Sequence, residues 1–295
     1  MATVSAVIPR RVRVPRRRMH MRKAAGWSGF YLMVAVFVIV SLFPFYWIVI
    51  TALKTQPEIN AGTTGLFPAH LTWSSFSTIF HQGTFARSLL NSVIVCGSTT
   101  ILTVIIASLA GYGLARTQIR GKQLIMGFLL VAGFFPVIAM VGPIFVTYRS
   151  LGLLDNLVGL VIVYFIYSLP LATWFLTGFF GQIPRELEEA AIVDGATRLQ
   201  ALRRVIVPVA APGIFTVAIL GFIFCWNDFL LALMFLTSPG HYTSPLAIIN
   251  LGQSQYQTFY NLIDAMVVVI TLPIALIVLI AQRRIISGLT AGSFR

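Results

Sequence analysis

Chemistry needs side chains that ionise, attack or ligate, and this chain gathers many of its few such groups in one stretch. Four of its eight acidic residues, Glu186, Glu188, Glu189 and Asp194, lie in residues 182–208, QIPRELEEAAIVDGATRLQALRRVIVP. Elsewhere the usual reactive patterns are missing. The three lysines (Lys23, Lys54, Lys122) stand outside any G-x-x-x-x-G-K-[ST] loop, so the chain is not expected to cradle a phosphate by itself. No G-x-S-x-G or H-E-x-x-H occurs, and His20, His70, His81 and His241 all fall in predicted loops. Cys96 and Cys225 sit in apolar runs with no metal-ligand spacing and read as small apolar fillers. The expectation is no catalytic residue, no metal site and no cofactor on this chain.

Within 182–208 the local signals are dense. Pro184 suits the first position of a helix, where its missing N–H has no intrahelical partner to lose. Glu186, Glu188 and Glu189 follow in the first turns, where the helix dipole favours anions. Leu187, Ala190, Ala191 and Asp194 share a narrow face, and Asp194-Gly195 breaks the helix. Thr197 with Gln200 forms a capping box that opens a second short helix, ended by Pro208. Leu199, Leu202, Val205 and Ile206 line one side of it, with Arg198, Arg203 and Arg204 around the rest. The product is a helical hairpin with a glycine turn. Small alanines admit a close partner surface, so the hairpin reads as a docking element; an amphipathic hairpin lying on a membrane is the alternative.

The elements that must position this hairpin are apolar and long. Hydrophobic residues make up 58% of the 295-residue chain and the mean hydropathy is +0.89. The excess is collected into uncharged runs. A spanning helix needs roughly 20 apolar residues to cross about 30 Å of hydrocarbon. Six runs qualify, at about 27–53, 89–115, 124–148, 157–180, 209–236 and 262–282. Prolines inside them are expected to kink rather than break the helices, because neighbours satisfy freed backbone groups. The fold class predicted is all-α, a polytopic membrane bundle of about six helices. Its parts are a basic, disordered cytoplasmic arm (1–26), a transmembrane domain (27–282) containing the 182–208 loop, and a cytoplasmic tail (283–295).

Charge sets the expected orientation. With both termini cytoplasmic, eighteen of the 21 Lys and Arg residues fall in inside segments and only Lys54, Arg87 and Arg149 outside. That asymmetry follows the positive-inside rule. It accounts for the net charge of +13 without nucleic acid, and the arm could also touch anionic lipid.

The residues then support a resemblance. Glu189-Ala190-Ala191 followed by Asp194-Gly195-Ala196 gives EAAIVDGA, and 205–208 gives VIVP. This resembles the EAA loop of binding-protein-dependent ABC importer permeases, E-A-A-x-x-D-G-A followed by I-x-L-P, with VIVP a conservative departure. Asn91-Ser92, Ala110-Gly111-Tyr112-Gly113-Leu114-Ala115-Arg116, Trp226-Asn227-Asp228-Phe229 and Gly288-Leu289-Thr290-Ala291-Gly292 are similar to motifs of maltose-transporter-type sugar permeases, in particular the G-like second half. The resemblance runs from about residue 27 onward.

It implies a permease subunit forming half of a carbohydrate path. Glu188, Glu189, Ala190, Ala191, Asp194, Gly195, Ala196 and Arg198 would form the ATPase-coupling loop. Implied partners are a second homologous permease, a P-loop ATPase dimer carrying ATP and Mg, an extracytoplasmic sugar-binding protein and membrane lipid. Polar and aromatic residues of the spans, Asn91, Tyr112, Trp226, Asn227 and Asp228, are candidates for the sugar path, and residues 237–261 for touching the binding protein. Asp228 could equally bond neighbouring helix ends. An ion-coupled secondary transporter or channel, and a membrane docking or assembly protein without transport, remain the rival classes.

Overall fold

A computed structural model describes residues 16–62, 65–81, 83–252 and 257–291, with side chains between 29 and 282. The described residues form an all-α protein. Helices α1 (Arg16–Ala52), α2 (Gln56–Asn60), α3 (Ser74–His81), α4 (Thr84–Arg116), α5 (Lys122–Gly133), α6 (Val137–Ser150) and α7 (Leu157–Gln182) come first. The short α8 (Arg185–Val193) and α9 (Arg198–Ala201) follow, and a π turn over Leu202–Ile206 leads into α10 (Val207–Asn227). Helices α11 (Leu230–Phe235), α12 (Ser244–Gly252) and α13 (Tyr260–Ala291) complete the chain. Helix α1 starts at Arg16, upstream of Trp27, so it takes in the last part of the basic arm; residues 1–15 of that arm lie outside the described residues. The first compact unit ends at Ile48, within α1, and everything after it forms the second.

Among the described residues five helices are long and apolar enough to cross a membrane, and α5 with α6 makes a sixth if the bent pair counts as one. That pair departs from the sequence expectation. Its axes differ by 87° across the break at 134–136. Pro136 has no N–H, and a proline pushes the residue before it out of the helical region. Gly133 ends α5 just upstream, so the chain breaks there. Pro143, Pro170, Pro212 and Pro273 instead stay inside continuous helices, as expected.

The ends of α4 and α7 show that the bent pair crosses. Arg116 Nη1, at the end of α4, donates to the Ile183 carbonyl just past the end of α7 at 3.0 Å. The two long helices therefore finish on the same face. The chain between them must return to the opposite face, and α5–α6 is that return.

The bundle is built inside out relative to a soluble protein. Along α4, the buried positions include Asn91, Ser92, Thr99, Thr103, Ala107 and Gly111, while Leu90, Ile94, Ile101 and Leu102 are exposed. Hydrocarbon is as apolar as leucine, so lipid-facing leucine gains nothing from burial; small and hydroxyl residues bring helices together instead. Thr103 Oγ1 lies 2.8 Å from Ser168 Oγ across the α4–α7 contact. A Cβ on Gly111 would stand 3.0 Å from Thr177 N and 3.2 Å from Leu176 Cβ. A side chain there would force the two helices apart by a few tenths of an ångström. Gly111→Val is expected to lower stability by about 1–3 kcal/mol through overpacking, measured as the unfolding midpoint of the purified protein in detergent. An unchanged midpoint would show that α4 and α7 can part there at no cost.

Candidate functional site

The 182–208 hairpin forms at the face where α4 and α7 end. Pro184 stands just before α8 rather than at its first position and supplies no side-chain cap, and Glu186 and Glu188 occupy the first turn. The helix ends in a Schellman turn: Ala196 N–H donates to the Ala191 carbonyl and Gly195 N–H to the Ile192 carbonyl, both at 3.0 Å. Gly195 takes φ +87°, a left-handed conformation that glycine adopts without a Cβ clash. The capping box of the second helix is present in both directions, with Gln200 N–H on Thr197 Oγ1 and Thr197 N–H on Gln200 Oε1.

Beyond Ala201 the structure corrects the sequence reading. Pro208 does not end the second helix; the helical path runs on from Arg198 to Asn227 as one span. Proline in a regular helix would clash with the carbonyl four residues back. The π turn over Leu202–Ile206 widens the helix ahead of Pro208, an arrangement that accommodates an inserted or misfitting residue.

Glu188 and Glu189 are neighbours in sequence and opposites in placement. Glu189 is exposed and Glu188 is buried. Tyr112 Oη donates to Glu188 Oε1 at 2.5 Å. Arg116 Nε approaches Glu188 Oε2 at 3.0 Å as an ion pair whose side chains are only 9% and 12% exposed. The Tyr112 ring meets Phe180 edge-on at 6.2 Å. Beneath lies an apolar cluster that includes Ala115, Leu176, Phe180, Leu202 and Ile206. A cavity of about 210 Å³ opens beside this group, lined among others by Arg116, Arg185, Glu188, Glu189 and Arg198. On the outer surface of the hairpin Val193 is 86% and Leu199 65% exposed. Ala190, Asp194 and Arg198 are exposed too, with Ala191 and Ala196 half-buried.

The five residues assigned to a sugar path have other partners within the chain. Tyr112 belongs to the hairpin site. Asn91 Nδ2 donates to the carbonyls of Gly240 and Tyr242, both at 3.0 Å. Trp226 is buried and its indole N–H donates to the Ile270 carbonyl. Asn227, exposed, donates to the Ile223 carbonyl one turn back. Asp228 does not lie inside a continuous fifth span: α10 stops at Asn227. Its Oδ2 accepts from Tyr164 Oη at 2.8 Å and from the N–H groups of Leu231 and Ala232 at 3.1 and 3.2 Å. It thereby satisfies donors that a helix start leaves open.

At the opposite end Asp155 makes a junction that the sequence reading missed. It is the one non-glycine residue with positive φ (53°) among those described. Its carboxylate accepts from the N–H groups of Thr237 and Ser238, both at 2.9 Å, and from the Ser238 hydroxyl. Its own N–H donates to the Phe235 carbonyl at 2.7 Å. The Asp-Asn pair before a long apolar run was the only sequence signal. Residues 237–252 hold a short turn at Pro239–His241 and the helix α12 rather than a plain loop.

Multiple apolar crossings, with a braced helical hairpin exposed at one face, define a multi-pass membrane protein. Residues 103–290 match the family described as binding-protein-dependent transport system inner membrane component, and the chain belongs to that family. It is 41% identical over 275 residues to the trehalose transport system permease protein SugB of Mycobacterium tuberculosis, covering 93% of this chain and 98% of that one. It is 34% identical to the trehalose/maltose transport system permease protein MalG of Thermococcus litoralis, over 87% and 92% of the two chains. A bacterial ABC transporter involved in the import of the acidic polysaccharide alginate shares the fold, with TM-score 0.73 and 22% identity over 92% and 98% of the chains.

The Asp155 junction carries a pH prediction. Burial alone would raise its carboxyl; the hydrogen bonds from Ser238 and Thr237 outweigh that and hold it well below the usual carboxylate range. A folded-state value below the unfolded one contributes stability that is full above the unfolded value and disappears as pH falls through the folded one. Asp155→Asn is therefore expected to lower the melting temperature at neutral pH. The gap from wild type should narrow as pH drops below about 4. A gap that is constant with pH would show that the carboxylate charge has no part in the junction.

Proposed function

We propose that this chain is one permease half of an ATP-driven ABC importer, and that it moves a carbohydrate, a di- or oligosaccharide, across the cell membrane. The observation that carries the reading is the hairpin. It presents Glu189, Val193 and Leu199 outward at one face while its root is fastened into the bundle. That is the form a docking element for a cytoplasmic partner requires. The two trehalose and maltose permease relatives support a sugar substrate.

The partners in this reading are a second homologous permease, a P-loop ATPase dimer holding ATP and Mg, and an extracytoplasmic sugar-binding protein. In this reading six crossings leave both ends of the chain on one side, and the basic excess in residues 1–26 and around the hairpin supports that side being the cytoplasmic one. ATP binding inside and loaded binding protein outside must favour different states of the bundle, since coupling is a difference in affinity between states. Glu189 is the polar docking contact, and Gly195 sets the turn that aims it. Of the sugar-path candidates Asn227 is the exposed one and remains our choice for a sugar hydroxyl contact.

The test is co-purification of the chain from solubilised membranes, wild type beside Glu189→Lys. The wild type is expected to bring a P-loop ATPase and a second permease, and Glu189→Lys to lose the ATPase. A wild-type chain that purifies alone or as a homodimer would move an ion-coupled transporter to first place.

A further inference from the structure

We propose that Glu188 is a positioning residue which fastens the hairpin to α4, so that motion of the docked ATPase is delivered to α4 through Glu188 rather than through the chain connection to α7. The proposal rests on the importer reading. It divides two adjacent acids of one helix: Glu189 faces the partner and Glu188 faces the bundle.

Three observations carry it. First, both Glu188 oxygens are engaged, Oε1 by the Tyr112 hydroxyl and Oε2 by Arg116. Tyr112 and Arg116 are four residues apart on α4, so they lie on one face of that helix. Two attachments on one rigid face fix the angle of α8 as well as its distance. Second, Arg116 also donates through Nη1 to the Ile183 carbonyl, at the link between α7 and α8. One arginine thus ties the end of α4, the end of α7 and the root of the hairpin. Third, the pair is nearly enclosed, with side-chain exposures of 9% and 12%. Removing one partner of such a pair leaves an uncompensated buried charge, so the two side chains are costly to separate.

The chain connections of the hairpin do not lead to α4. Ile183 and Pro184 join α8 to α7, and the second helix of the hairpin runs on into α10 as one span. The side-chain attachments of Glu188 supply the route to α4. Helix α4 packs along α7 and against α10, so a displacement imposed on α4 reaches both of its neighbours.

The test uses the complete importer, reconstituted with its ATPase, second permease and binding protein, and reads two quantities: ATPase retained on purification, and uptake per ATP hydrolysed. Glu188→Gln is expected to keep the ATPase bound while uptake per ATP falls on the order of tenfold, the usual size of a lost coupling. Arg116→Lys, which keeps the charge, should retain part of the coupling. Glu189→Lys should lose the ATPase itself. Glu188→Gln that sheds the ATPase makes Glu188 a docking contact and overturns the proposal; wild-type uptake per ATP also overturns it. If Glu188→Gln does not accumulate in membranes, Tyr112→Phe decides, because it removes one hydroxyl only: reduced coupling with the ATPase bound supports the proposal, and unchanged coupling refutes it. An ATPase missing from the wild-type preparation overturns the importer reading and this proposal with it.

Discussion

A backbone that crosses hydrocarbon has no water to bond with, and every part of this fold answers to that constraint. Helices meet it over most of the chain, because each N–H finds a carbonyl within its own segment. The instructive places are the breaks. After Asn227 the chain leaves the helix, and the Asp228 carboxylate receives the N–H groups of Leu231 and Ala232 that would otherwise be orphaned. At 134–136, Phe134 N–H returns to the Leu130 carbonyl and Ala139 N–H to that of Pro136, so each half-helix closes on itself. Ahead of Pro208 the π turn absorbs the misfit and the span continues.

The same constraint turns the packing inside out. Large apolar side chains already sit well against lipid, so attraction between helices falls to close backbone approach and to hydroxyl contacts. Gly111 against Leu176 and Thr177, and Thr103 against Ser168, are both of that kind. Helices α4 and α7 are held by such contacts over much of their length. This close pair is the frame on which the hairpin is mounted, through a tyrosine and an arginine at the last turns of α4.

How much of this could be read from residues follows from the range of the interactions involved. The Gly195 turn and the Thr197–Gln200 box are complete within a few residues, so spacing alone revealed them. Span number was legible because length and polarity set it. Proline behaviour was not: Pro136 breaks its helix whereas Pro170 does not, and the difference depends on what neighbours the freed groups meet. The inward turn of Glu188 was equally hidden, since it depends on Tyr112 and Arg116, some seventy residues earlier. Asp228 looked like a carboxylate in a span, but the helix ends just before it, and only tertiary structure shows the Tyr164 hydroxyl and the α11 start that receive it.

Helix α7 emerges as the member fixed at both ends. Before its first residue, Asp155 is bonded to the segment 235–238 that follows α11. After its last, Ile183 is bonded to Arg116, which in turn holds Glu188. The two fastenings differ in kind: Asp155 accepts backbone N–H groups at a chain break, whereas Glu188 takes a tyrosine hydroxyl and pairs with an arginine. The hairpin face and the opposite face of the bundle thus both hold on to one continuous span, while the side-chain attachments of the hairpin itself run to α4.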